Sequence, residues 1–166
     1  DENCIGILIH NLQQSNLIVT WAYGFTIGLQ CIGSGQGWVY NQVELLYIIN
    51  NKIGVDLTNE SNGWCNENIF INGRFSCFTG VNKGTTRFGV RITSKDGIYT
   101  NNNNNIFIKP SFELQTSQAS PGEATPILIE HGTQNYFVQC RDEFNSAIFA
   151  RILNDSQYNE FDIGFG

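Results

Sequence analysis

The chain contains no methionine, only three prolines and two histidines, and charged side chains make up just 14% of its 166 residues. Each shortage closes something off. So small a stock of ionisable groups leaves little for acid and base chemistry. With 15 acidic against 9 basic residues the net charge is -6, so the broad basic field that phosphate backbones require is missing and nucleic acid is not an expected partner. No stretch of 18 apolar residues occurs, so no segment reads as a membrane-spanning helix. There is no Cys-x-x-Cys pair and no cysteine and histidine cluster, which argues against a metal site, and no cofactor motif is found. The missing initiator makes Asp1 read as an end left by signal-peptide cleavage, which places the protein outside the cell, secreted or on an extracellular surface.

What is present favours β structure. Aromatics reach 13% and glycine numbers 17, a composition suited to pleated strands and tight turns. Short β-rich runs cover residues 5–10, 16–23, 25–32, 38–49, 69–78, 85–93, 106–114, 126–130, 136–140, 147–153 and 161–165. Between them lie turn formers such as Gly33-Ser34-Gly35, Asn62-Gly63, Asn72-Gly73, Asp96-Gly97 and Pro121-Gly122. The run Val43 to Asn50 has a helical reading too, but its Leu-Leu-Tyr-Ile-Ile equally suits a buried strand. The asparagines 101–105 read as a loop between strands. One domain of this length buries a core unaided. The expected fold is all-β, a single-domain antiparallel β-sandwich over residues 1–166 stapled by one or two disulfides.

The five cysteines are Cys4, Cys31, Cys65, Cys77 and Cys140, with Cys65 and Cys77 expected to close a hairpin and the odd thiol free or joined to another chain. Two sequons, at Asn59 and Asn154, permit glycosylation of an exported chain. His10 ends its strand and His131 precedes a turn; a fold could bring the two together, but neither has a nucleophile's setting, so no catalytic residue is assigned and no enzyme is expected. Asp155, Glu160 and Asp162 carry oxygens of the kind calcium prefers, without the spacing of a calcium loop, and read as a solvated turn.

Binding surfaces are better candidates than reactive groups. Period two in a strand places Arg87, Arg91 and Lys95 on one face, opposite Phe88, Val90 and Ile92, a cationic stripe that would suit an anionic headgroup, a sulfated glycan or an acidic partner. Trp21, Tyr23 and Phe25 share parity and form a second candidate, one aromatic face. Trp64 beside Cys65 reads as a cover over a disulfide. At the far end Phe161, Ile163 and Phe165 alternate with Asp162 and Gly164, the pattern of a half-buried strand able to pair with a sheet edge of a second copy.

Several fragments, Ile7-Leu8-Ile9-His10-Asn11, Trp21-Ala22-Tyr23-Gly24, Phe70-Ile71-Asn72-Gly73-Arg74 and Lys83-Gly84-Thr85-Thr86, make the first 100 or so residues resemble the aegerolysins. These are small acidic β-sandwich proteins that bind membrane lipids, sometimes recruiting a partner to form pores; their Trp-Asp-Cys-Pro-Trp signature has no counterpart here. The resemblance implies a lipid-binding sandwich without enzymatic activity. Two expectations follow: a structural or adhesive β-domain that self-associates into a homo-oligomer or polymer through its terminal strands, and a module that binds a membrane-surface lipid or a glycan.

Overall fold

The computed structural model describes residues 4–77, 87–114, 124–143, 146 and 148–164. Among these residues fifteen strands form: β1 (Ile5–His10), β2 (Asn16–Tyr23), β3 (Ile27–Ser34), β4 (Gly37–Val39), β5 (Gln42–Ile49), β6 (Ile53–Glu60), β7 (Trp64–Asn66), β8 (Ile69–Ser76), β9 (Arg87–Ser94), β10 (Ile106–Ile108), β11 (Ser111–Glu113), β12 (Ala124–Ile129), β13 (Tyr136–Asp142), β14 (Ala150–Ile152) and β15 (Glu160–Gly164). Every pairing between them is parallel.

The order of pairing shows how the chain winds. The first sheet runs β1-β3-β6-β9-β12-β14, the second runs β2-β5-β8, then β10 and β11, then β13 and β15, and β4 pairs with β7 in a short third. Each strand therefore pairs with the strand one circuit later: Ile27 lies beside Ile53, and Gln42 beside Ile69. The chain is a parallel β-solenoid, six coils deep in its first sheet. Stacking coil on coil lines up identical positions, so the core is built of rows. From the first sheet come Ile7, Leu29, Val55, Val90 and Ile127; from the second, Leu17, Val43, Phe70, Phe107, Phe137 and Phe161. The phenylalanines stack face to face, with ring centroids 4.5 Å apart for Phe70 and Phe107, 4.7 Å for Phe107 and Phe137, and 5.3 Å for Phe137 and Phe161. Trp38 closes the row against Phe70 at 5.9 Å.

One corner of the solenoid is held by asparagines. Asn41, Asn68, Asn105 and Asn135 are at most 2% exposed, and each passes hydrogen bonds to the next coil. The Nδ2 of Asn68 donates to the Oδ1 of Asn105 at 2.8 Å, that of Asn105 to Asn135 at 2.9 Å, and that of Asn135 to Asn159 at 3.0 Å. The backbone N–H of each residue donates to the same oxygen, so a buried bend that would strand its polar groups leaves them satisfied. The asparagine run 101–105 supplies one rung: Asn105 belongs to this ladder, while Asn102 donates to Asn59, to Thr93 O and to His131 O.

Two expectations are corrected. The sheets are all-β as expected, but they are neither antiparallel nor a sandwich, because the glycine-containing turns bend the chain around corners without reversing it. Asn72 and Gly73, with φ of 63° and 103°, fall inside β8, where the strand bends and continues. A Cβ on Gly73 would meet the Phe75 ring at 2.7 Å, so only glycine fits that bend. The disulfides are also absent: all five cysteines are free. Cys65 and Cys77 flank β8, whose eight residues extend over roughly 26 Å, far beyond the reach of a bridge. There is no hairpin for them to close. Two strands not expected from sequence, β6 and β7, complete the third coil.

Candidate functional site

The outward faces of the two sheets differ in chemistry. On the first sheet the register aligns Gln30, Asp56 and Arg91. Asp56 is fully buried; its Oδ1 and Oδ2 accept from the Arg91 Nε and Nη2 at 2.7 and 3.0 Å, and Gln30 Nε2 donates to Oδ2 at 2.8 Å. Burial pulls the Arg91 guanidinium down, but the hydrogen bonds and charge of Asp56 outweigh it and hold it above its ordinary value. Further along, Lys95 pairs with Glu60 at 2.5 Å, which holds the Glu60 carboxyl below its usual range. Arg87 is 1% exposed, close enough to Cys77 to oppose the rise that burial imposes on that thiol. The three cations expected to form a stripe are thus one buried and two paired, while Val90 and Ile92 face the core.

On the second sheet one outward row reads Trp21, Tyr47, Arg74, Ser111 and Arg141, each beside the next. Trp21 is 56% exposed, Tyr23 47% and Tyr47 42%. Trp21 lies with ring centroids 5.1 Å from Tyr47 and 6.4 Å from Tyr23, so the three rings form one platform on the outside of the solenoid. Burying such rings is worth 1.5 kcal/mol or more each, roughly, which makes their exposure informative. Phe25 is not part of it: its ring packs over Gly6 at the corner between β2 and β3.

Beside the platform Arg74 grips Glu113, with Nε 2.9 and 3.0 Å from its two oxygens and Nη2 2.6 Å from Oε2. Glu113 raises the Arg74 guanidinium above its ordinary value. Arg141 pairs with Glu143 at 3.0 Å. A shallow groove of about 290 Å³ runs between Tyr47 and Arg74, lined also by Leu45, Leu46, Asn72, Gly73, Lys109 and Ser111. Lys109, with φ of 56°, makes no ion pair among the described residues. The groove therefore joins an aromatic wall to amide, hydroxyl, guanidinium and amine groups.

The remaining candidates scatter. His10 ends β1 and His131 follows β12, four strand spacings or roughly 19 Å apart, so they do not meet. Asn59 is fully buried and accepts from Asn102 at 2.9 Å, leaving no room for a glycan on the folded chain; Asn154 is exposed. Phe161 joins the phenylalanine row and Ile163 is 49% exposed, on a strand paired to β13 within the chain; Phe165 lies outside the described residues. Trp64 covers no disulfide: its Nε1 lies where a Cβ on Gly37 would be. Sequence reasoning missed Tyr47, Arg74, Lys109, Ser111 and Glu113, which come from three successive coils brought together by register.

Comparison with family models, with curated proteins and with solved structures found no match.

Proposed function

We propose that this chain is a non-enzymatic structural and adhesive shaft of an extracellular assembly, which attaches to a glycan-bearing surface through the outward row of its second sheet. The observation that carries the reading is the platform of Trp21, Tyr23 and Tyr47, three large rings left in solvent side by side on one outward face. Rigid stacked coils hold the row in place without ordering cost, which favours binding by a broad weak surface. The carboxylates near it are closed in ion pairs with arginine, an arrangement suited to positioning hydroxyls and not to transferring protons. Biolayer interferometry of the purified chain on immobilised glycans and on lipid vesicles tests this. Glycan binding that falls when Trp21 and Tyr47 are both replaced by alanine is expected; retention undiminished by the double variant sinks the reading. The lipid-binding alternative that the aegerolysin resemblance implies uses the same rings and is distinguished by the vesicle arm.

Self-association is the second reading. In the last described coil Ile152, Leu153, Tyr158 and Ile163 are 41 to 75% exposed, and among the described residues β14 and β15 each pair on one side only. A second copy adding strands there would extend both sheets. Light scattering should then report large species that vanish when the chain is cut after Tyr158; the same mass before and after the cut counts against it.

A further inference from the structure

We infer that the groove beside the platform is a subsite for a neutral oligosaccharide lying along the solenoid axis. This rests on the adhesive reading above and names its ligand class. Sugar rings offer apolar C–H faces and a rim of hydroxyls, each of which donates and accepts. The row meets both demands. Trp21 and Tyr47 supply the stacking surface, and Tyr47 is also a wall of the groove. Arg74 supplies donors from the groove wall and is held in place by the largely buried Glu113 through three contacts of 2.6 to 3.0 Å, so the ligand need not order it. Asn72, Lys109 and the Ser111 hydroxyl complete the lining.

Charge selects a neutral sugar over an acidic one. Arg74 is already neutralised by Glu113 and Arg141 by Glu143, and the chain as a whole carries -6. A polyanion would be repelled at long range and, among the described residues that line the groove, would find only the Lys109 amine outside an ion pair. The dimensions agree as well. From Trp21 to Arg141 the row crosses four strand spacings, roughly 19 Å, so each coil advances by about the length of one hexose unit.

Isothermal titration of the full chain with maltohexaose, cellohexaose and a β-galactan hexamer, beside an oligogalacturonate and phosphatidylserine vesicles, tests the inference. Binding of at least one neutral hexamer is expected, accompanied by a shift in tryptophan emission and nearly unchanged between low and physiological salt. Tyr47→Ala and Trp21→Ala should each weaken it roughly three- to tenfold, and Arg74→Gln roughly tenfold, with unfolding temperatures close to the parent for the two aromatic variants. Binding to oligogalacturonate or vesicles alone, lost with Trp21→Ala, overturns the neutral ligand and leaves the adhesive reading standing. No binding to any neutral hexamer, or binding indifferent to Trp21 and Tyr47, overturns the subsite.

Discussion

The two long sheets of this solenoid face water differently. The first buries a polar cluster at its centre: Asp56 is fully covered, Gln30 is 7% exposed, and both Gln30 and Arg91 donate to Asp56. The second leaves Trp21, Tyr23 and Tyr47 in the open and pairs Arg74 and Arg141 of the same row with carboxylates. Both faces come from strands of similar length in the same coils, so the contrast does not arise from architecture. It arises from what each row was given to carry. A buried ion pair specifies alignment of neighbouring coils and contributes little to contact with anything outside. An exposed aromatic row contributes little to stability and is placed for contact.

This contrast can be broken from either side. The largest effect is expected from Asp56→Ala, which leaves Arg91 and Gln30 facing a buried gap: a loss of about 3 to 5 kcal/mol in denaturant unfolding, with the binding row untouched. A loss below about 1 kcal/mol would mean that the pair is ornamental. Next comes alkaline pH. Burial pushes the Cys65 and Cys140 thiols up to about 12 from an ordinary 9.0, and Cys31 rises in the same direction. The folded state therefore holds these protons more tightly than the unfolded one, so stability is intact below about pH 9 and falls as pH climbs toward 12. Unfolding midpoints followed from pH 8 to 11 check the sign, and a midpoint that rises over that span refutes it. In the native protein at neutral pH only the exposed Cys4 should react quickly with a thiol reagent, and the four buried thiols should appear only on unfolding.

Smaller effects sharpen the comparison. Lys95→Ala removes an ion pair whose lysine is half exposed, so its cost should stay under about 1 kcal/mol and shrink further in salt. Trp21→Ala should change stability least, within about 0.5 kcal/mol, because the residue is 56% exposed, while it weakens adhesion, which the Asp56 and Lys95 variants leave intact. A large destabilisation there would assign the platform to packing instead.

Much of the fold was legible locally. The run Ile5 to His10 and the run Asn16 to Tyr23 are strands over the residues expected, and Val43 to Ile49 is strand where a helix competed, because β-branched and aromatic residues at period two favour pleated backbone wherever the strand later pairs. The expected strand over 38–49 is split at Tyr40, whose φ of 57° turns the corner, and the one over 106–114 at Lys109 for the same reason. The solenoid itself left one trace. Asn68-Ile69-Phe70, Asn105-Ile106-Phe107, Asn135-Tyr136-Phe137 and Asn159-Glu160-Phe161 repeat a ladder asparagine followed by a core phenylalanine. The repeat is hard to see because the intervals are unequal, the extra residues being accommodated at corners where coils tolerate insertions.

The sequence by itself determined β structure, the apolar rows and the poverty of reactive groups, since these follow from composition and from alternation over a few residues. Only the tertiary structure decided that the strands run parallel, that Cys65 and Cys77 stand far apart, that Arg91 serves a buried aspartate, and that Trp21, Tyr47 and Arg74 are neighbours. Pairing direction and register depend on where the chain goes after each turn. A residue one coil away is closer in space than one five positions along the strand, and no local pattern records that distance.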